Sequence, residues 1–450
     1  MPSRRAPLRA LPGTLLVAGA AALAPASAAG QEPRELGVAE SVRLGLERSP
    51  RLRAAAADAA AAGASSRVAR SAMLPALVAQ GSYTRLSDNI PGVEFTLPGL
   101  DTTFTFQGVE LNRYHGELSV AQPLFTGGRL RSLTRAAEYD AAAAELGAAQ
   151  ERAEVAAEIR QAYWELQRAR AVQATMASAL AQVDEHVRDV RTRLAEGAAL
   201  RRDLLVAQTR RSEVQLEQVE ADNAVRLAQL ELNRLMGMPL DAEVVPADVP
   251  ALAEAEPQLA ALTAAALEER PELGALALQL RGVEARIAAA RGQRLPQLDL
   301  TGRYLYSRPN PYFFMEQDRF RPTWELVIGG RWSLWEGGRV AAQTGEARAR
   351  REAAGARLAD AREQVAVAVA RAHLEVLRAR AAAAAAALHV SEAEETYRVV
   401  RQQFAEGAAL SVDVLEAEQT QRRAQARRAQ ALADYEIARA GVHRVLGRVW

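Results

Sequence analysis

The 450-residue chain carries 56 basic and 55 acidic residues, a formal net charge of +1, and no cysteine. So even a balance implies no affinity for nucleic acid. The missing thiols exclude disulfides and lipid attachment to an N-terminal cysteine. All the basic residues are arginine, a compositional bias with no functional reading.

Residues 1–28 have the pattern of an export signal: Arg4, Arg5 and Arg9, an apolar stretch from Leu11 to Leu23, then Ala26-Ser27-Ala28 as a small-residue cleavage site. The apolar run is too short for a membrane anchor and is broken by Pro12 and Gly13. Losing three arginines takes the formal charge from +1 to −2. No later apolar run approaches the roughly 20 residues of a membrane helix. An exported chain of this kind is soluble in the periplasm, secreted, or membrane-spanning by strands.

The mature chain reads as two copies of one unit. Arg48-Ser49-Pro50-Arg51-Leu52 answers to Arg270-Pro271-Glu272-Leu273, with proline at a helix start. Leu74-Pro75-Ala76-Leu77 answers to Leu295-Pro296-Gln297-Leu298, both at an offset of 221. From there the offset is 210: Phe125-Thr126-Gly127-Gly128-Arg129 with Trp335-Glu336-Gly337-Gly338-Arg339, and Leu235-Met236-Gly237 with Val445-Leu446-Gly447. The first copy therefore holds eleven extra residues between Pro75 and Phe125. The expected division is 29–237 and 258–450, joined by a proline-rich linker over 238–257 without periodicity.

Each copy opens with a short helix (Val38–Arg48, Leu259–Arg270) and a second near Pro50–Leu74 or its equivalent. Helices of about 100 Å are expected from Gly128 to Ala195 and from Gly338 to Ala405. Val365, Val369, Ala372 and Val376 form one apolar seam, and Leu216, Val219, Leu227 and Leu230 another. Such alanine-rich helices call for neighbours from other subunits.

The hexapeptide Ala-Glu-Gly-Ala-Ala-Leu recurs unchanged at Ala195 and Ala405. A glycine after a helical run is a stop signal, because it enters the left-handed region without a Cβ clash. Asp203 and Asp413, six residues past Gly197 and Gly407, then fall in the first turn of a returning helix. Ser411 suits the N-cap there. Each copy thus ends in a helical hairpin.

Between the helices, strands alternate with period two. Leu298, Leu300, Gly302, Tyr304 and Tyr306 share one face, as do Trp324, Leu326, Ile328, Gly330, Trp332 and Leu334, and Tyr114, Leu118, Val120 and Leu124. Fifteen of 22 aromatic residues lie in 78–125 and 297–335, under a fifth of the chain, which fits interfacial girdles of a membrane barrel. A half-buried sheet in a soluble domain gives the same alternation. Four strands cannot close around a duct, whereas three chains supplying twelve could, and other multiples are also possible.

Leu-Pro-x-Leu, Gln122-Pro123-Leu124-Phe125-Thr126-Gly127-Gly128-Arg129, Arg-Pro-Glu-Leu and the second tip occur together, the set largely in duplicate. In this combination the chain, from about Leu36 to Gly447, resembles the TolC family of outer-membrane efflux and secretion ducts. The resemblance implies a mainly α fold with a membrane β-barrel: a homotrimer with a twelve-stranded barrel in outer-membrane lipid and a long α-helical barrel across the periplasm. It further implies cargo delivered by an inner-membrane pump through a periplasmic adaptor (membrane fusion protein), in a tripartite efflux pump or a type I secretion system. It places the acidic periplasmic gate at Asp413 and Glu416, where the family more often has a second aspartate. Adaptor docking falls at Glu196-Gly197-Ala198 and Glu406-Gly407-Ala408. Some members lock the closed tip with a tyrosine and an arginine paired to the aspartate matching Asp203. Phe404 and Ala409 stand at those two positions here, leaving Arg201 and Arg202 as alternative cations.

No enzyme, cofactor or metal site is expected. The five histidines show no ligand spacing, and no phosphate loop or nucleophile elbow occurs. The rival reading is a secreted or periplasmic structural coiled-coil oligomer. An adaptor with one helical hairpin is a third, disfavoured by the presence of two hairpins.

Overall fold

The computed structural model describes residues 34–449 apart from 91–92, 97–98, 100–102, 107–109, 251, 253–257 and 314–317. The export segment 1–28 lies outside the described residues.

In chain order the elements are β1 (Arg34–Leu36), α1 (Val38–Arg48), α2 (Pro50–Ser71), β2 (Ala76–Arg85), β3 (Val93–Thr96), β4 (Thr103–Phe106), β5 (Asn112–Phe125), α3 (Arg129–Ala195) and α4 (Arg201–Met236). Then follow β6 (Val244–Pro246), α5 (Leu259–Glu269), α6 (Pro271–Gly292), β7 (Gln297–Arg308), β8 (Arg321–Arg331), α7 (Arg339–Ala405) and α8 (Ser411–Val445). Among the described residues no helix is long and apolar enough to cross a membrane.

The local chemistry explains the boundaries. Pro50 and Pro271 start α2 and α6, where a missing N–H costs nothing. Gly128 and Gly338, at φ 79° and 81°, turn the chain from strand into long helix. Both long helices run 67 residues, about 100 Å at 1.5 Å per residue.

Strands β2-β5-β7-β8 form one antiparallel sheet in that order. The two hairpins share one register: Ala76 faces Ala121 and Gln297 faces Arg331, which the offsets of 221 and 210 interconvert. The surplus of the first copy forms a small hairpin, β3 paired with β4, between β2 and β5. Strand β8 ends at Arg331, short of Trp332 and Leu334, whose alternation predicts a longer strand.

Below the sheet α2 packs on α3, α3 on α6 and α6 on α7. Further down, α4 and α8 replace α2 and α6 beside the long helices. The seam at Val365, Val369 and Val376 is buried, with Ala372 half-buried at its edge. The α4 seam is not buried within the chain. Leu216, Val219, Leu227 and Leu230 are exposed, because Ala207, Val214, Ala221 and Leu232 are the residues turned inward.

Midway, the largest core joins β1, α1, α3, α4 and β6 around Ile159, Tyr163, Leu166, Leu232 and Met236. The linker read as lacking periodicity contains β6, which pairs in parallel with β1 across more than 200 residues. Tyr163 ties this region together. Its hydroxyl lies 3.0 Å from Asp248 Oδ2 and 3.1 Å from the Leu36 carbonyl, and accepts from the Asp248 amide at 3.0 Å. Asp248 in turn accepts from the Val38 amide. Burial pushes the Tyr163 phenol pKa upward, so it stays a donor. Tyr163→Phe keeps the ring and strands these polar groups, at a cost of about 1–3 kcal/mol. Thermal unfolding should show a lower Tm than the parent, with half-buried Tyr139→Phe near parent behaviour as control. An unchanged Tm for Tyr163→Phe would contradict the assignment.

Candidate functional site at the helix tips

Both hairpins turn in the same way. Helix α3 ends as Gly197 enters φ 74°, its amide donating to the Leu194 carbonyl at 3.1 Å and the Ala198 amide to Arg193 at 2.8 Å. Helix α7 ends as Gly407 enters φ 80°, with Gly407 to Phe404 at 3.1 Å and Ala408 to Gln403 at 2.7 Å. This 5→2 and 6→1 pair satisfies carbonyls that the helix end would leave open. Glu196, Gly197, Ala198 and their counterparts Glu406, Gly407, Ala408 are all exposed.

Asp203 and Asp413 close the return. Asp203 Oδ2 accepts from the Leu200 amide at 3.1 Å and Asp413 Oδ2 from the Leu410 amide at 2.8 Å. Each acid thus reaches back from the third helical position to the N-cap amide and meets the positive end of its helix. Ser411 is not the N-cap. Leu410 holds that position, and the Ser411 hydroxyl lies 2.8 Å from His186 Nε2 on α3. Glu416, one turn beyond Asp413, is exposed.

Phe404 is buried at 9% exposure, in a cluster with Val190 and Val414 against which Ala409 packs. The Arg193 guanidinium lies 4.3 Å from its ring centroid and donates to the Ala405 carbonyl at 3.0 Å. The His186 ring lies 5.2 Å away. An apolar and cation–π contact within one chain therefore joins the two hairpins at this level. Of the alternative cations, Arg202 approaches Asp203 to 3.5 Å on its own turn, and Arg201 is exposed.

Two turns above Asp413 lies a feature that periodicity did not reveal. Glu418, 2% exposed, stands between Arg210 of α4 at 3.5 Å and Arg422 of α8 at 3.3 Å, and Arg422 also pairs with Glu217 of α4. Burial raises the Glu418 pKa and lowers that of Arg422 to about 10. Neither Glu418 oxygen accepts a well-aligned hydrogen bond, so the two arginines reach it chiefly as charges. Its only sequence signal was the i, i+4 pair Glu418 and Arg422 in a helix otherwise dense in solvated charge.

The sequence model of the outer membrane efflux protein family matches residues 42–238 and 262–448. The chain belongs to this family. No curated protein shows a significant sequence match. The fold is similar to the Campylobacter jejuni CmeC outer membrane channel, at TM-score 0.76 and 17% identity over 91% of this chain and 85% of that one. It is also similar to the outer membrane protein VceC from Vibrio cholerae, at 0.74 and 20% over 91% and 96%. The open state of the Neisseria gonorrhoeae MtrE channel gives 0.73 and 20% over 91% and 89%.

As an outer membrane efflux protein the chain is an outer-membrane channel that extends into the periplasm, in the trimeric barrel-on-barrel fold. The two faces of the sheet fit that setting. Tyr83, Tyr114, Leu118, Tyr304, Trp324, Leu326 and Ile328 share one face and suit lipid. The other face carries Arg303 between Glu117 at 3.0 Å and Glu325 at 2.5 Å, with the Tyr312 hydroxyl donating to Glu325 at 3.0 Å. Among the described residues no His/Asp/Glu group could hold a metal ion.

His186 makes the tip contacts sensitive to acid. Burial lowers its pKa, with the Arg193 and Arg401 charges acting in the same sense and Asp189 opposing them. A depressed histidine contributes stability that is complete above its unfolded value of 6.5 and is lost as pH falls through the folded value. Once corrected for the intrinsic pH dependence of amide exchange, protection at 186–195 and 404–415 should therefore fall between pH 7.5 and 5.5. His186→Gln should flatten that dependence, and equal responses in both proteins would contradict it.

Proposed function

We propose that the chain is a passive exit duct whose helix tips are its working end. The observation that supports this most is the duplicated tip: two exposed left-handed glycine turns about 100 Å below the sheet, each followed by a capping acid. Three copies around one axis would bring Asp413 and Glu416 together as six carboxylates, with Asp203 of each copy beside them as part of the same gate. Selection would rest on pore width and wall charge, without catalysis. Cargo would reach the tips from an inner-membrane pump through a periplasmic adaptor docked on Glu196-Gly197-Ala198 and Glu406-Gly407-Ala408.

A ring of carboxylates should draw in a trivalent cation and be blocked by it. The probe is single-channel recording in a planar bilayer with that cation on the periplasmic side. Asp413→Asn with Glu416→Gln removes charge and retains a side-chain oxygen to accept from the Leu410 amide. Block by the cation should weaken about tenfold or more, equivalent to ~1.4 kcal/mol. Undiminished block in the double variant would remove these residues from the gate.

Docking is tested separately. A Cβ at Gly197 or Gly407 meets no atom of the chain within 4 Å, so within the protomer a side chain there acts only through backbone conformation. Valine in a left-handed turn costs about 1–2 kcal/mol. Gly197→Val and Gly407→Val should reduce efflux in cells while trimers remain in the membrane. Full transport by both variants would contradict docking at these turns.

A further inference from the structure

The face of the sheet that meets water is covered at its outer end. The helices adjoin the sheet at Ala76, Phe125, Gln297 and Arg331, so Arg308 and Arg321 lie at the far end. Along β7 the lipid-side residues stay open there, and Tyr304 and Tyr306 are both exposed. On the other face Leu305 and Ser307 are only 5% and 2% exposed, although no second protomer is present to cover them. The cover comes from the connection between β7 and β8, which turns back over the strands.

Three contacts trace its path. Asn310 Nδ2 donates to the Thr323 hydroxyl at 3.2 Å and to the Arg321 carbonyl at 2.9 Å. The Arg321 guanidinium lies 4.1 Å from the Phe313 ring centroid. The Tyr312 hydroxyl donates to Glu325 at 3.0 Å. Arg321, Thr323 and Glu325 are alternate residues of β8, opposite Ser307, Leu305 and Arg303, and so share the water side. Glu325 is four residues along β8 from Arg321, about 13 Å into the barrel at the rise of a strand. A connection that continued outward from the strands would not reach Thr323 or Glu325.

The path is fixed at both ends. Buried Asn310 accepts from the Tyr312 amide at 3.0 Å, a short side-chain turn that aims residue 312 back at the sheet. The returning end is held on the lipid side, where Phe320 stacks on Tyr306 at 5.1 Å and Asp318 pairs with Arg308. Beneath Tyr312, Arg303 donates to Glu325 at 2.5 Å and to Glu117 at 3.0 Å, which steadies the carboxylate that receives the hydroxyl.

We infer that residues 309–313 fold into the mouth of the barrel and that Tyr312, held by Glu325, sets the width of that mouth. Three copies place three such rings in one lumen. They form an outer constriction in series with the helix tips, and it does not depend on how the tips are read. Tyr312 is itself exposed, so its ring borders the passage while its hydroxyl is tied to the wall. A solute leaves between these rings, and one wider than the gap is kept out. The device belongs to the second copy alone. Thr84, the equivalent of Leu305 at an offset of 221, is exposed.

The chain has no cysteine, so introduced thiols report alone. In planar bilayers Tyr312→Cys trimers are treated from the outer side with a polyethylene glycol maleimide while single-channel current is recorded. Attachment should lower the current stepwise, one step for each protomer modified. The same reagent on Asp88→Cys, an exposed position beyond β2, should leave the current unchanged. Failure of position 312 to react, or full reaction there by intact mass with no fall in current, overturns the inference. The cover is read separately with a small impermeant maleimide applied from outside. Leu305→Cys should react at least about tenfold more slowly than Tyr312→Cys, because it is reached only when the connection lifts. Adding Tyr312→Gly to Leu305→Cys should remove most of that protection. Equal rates for the two single variants, or protection that survives loss of the Tyr312 side chain, overturns the assignment of Tyr312.

Discussion

A sheet with two open edges cannot sit in lipid. Each unpaired N–H and C=O there costs several kcal/mol, and only closure removes them all. The chain supplies four strands in one row, with β2 and β8 unpaired at its ends. Everything beneath follows the same row, α2–α3–α6–α7 and then α4–α3–α8–α7, again open at both sides. The exposed leucines of α4 are part of that unfinished surface: Leu216 and Leu227 are 62% and 67% exposed. A monomer is in this sense one third of a core, and closure in the membrane and closure of the helical barrel are one geometric event.

A gate at the tips, as proposed, must be held shut and still be able to open. The contacts between hairpins suit it. Phe404 lies between an arginine and a histidine, and Glu418 is buried between two arginines that give it charge but no aligned hydrogen bond. Buried ion pairs contribute less to net stability than to the choice of one arrangement, while breaking one is expensive. Close above Asp413, the ion pairs join α4 to α8 beside an apolar cluster that includes Ala207, Val214 and Leu415.

Much of this could be read from the residues because the informative signals are local. Gly197 and Gly407 mark turns whose geometry only glycine adopts readily, so helix ends at Ala195 and Ala405 follow from the hexapeptide itself. Alternation in β5 and β7 is likewise written in neighbours two apart. What escaped depends on distant partners. Strand β6 exists because Val244–Pro246 meets Arg34–Leu36, and no periodicity within three residues could show it. Ser411 has the chemistry of an N-cap, yet His186, 225 residues away in sequence, takes its hydroxyl. The α4 seam was identified as apolar but faces outward, since spacing reveals a stripe and not which neighbour covers it. At the candidate site, the motif located both tips and both acids. It could not show that each acid already bonds its own N-cap amide, nor that Phe404, standing where some family members have the lock tyrosine, packs with Val190 and Val414.

The central claim, that the apolar face of the sheet lies in lipid while the helices stand in water, is tested most directly by tryptophan quenching. Trp324, Trp332 and Trp335 are exposed at 78%, 59% and 84%, whereas Trp164 is buried in α3 at 6%. Reconstituted into bilayers with brominated acyl chains, the protein should lose most of the emission of Trp324 in β8 and of Trp332 and Trp335 just beyond it. A variant with all three replaced by phenylalanine should show only residual, poorly quenched fluorescence. Parent emission that is the same in brominated and ordinary lipid would contradict the claim.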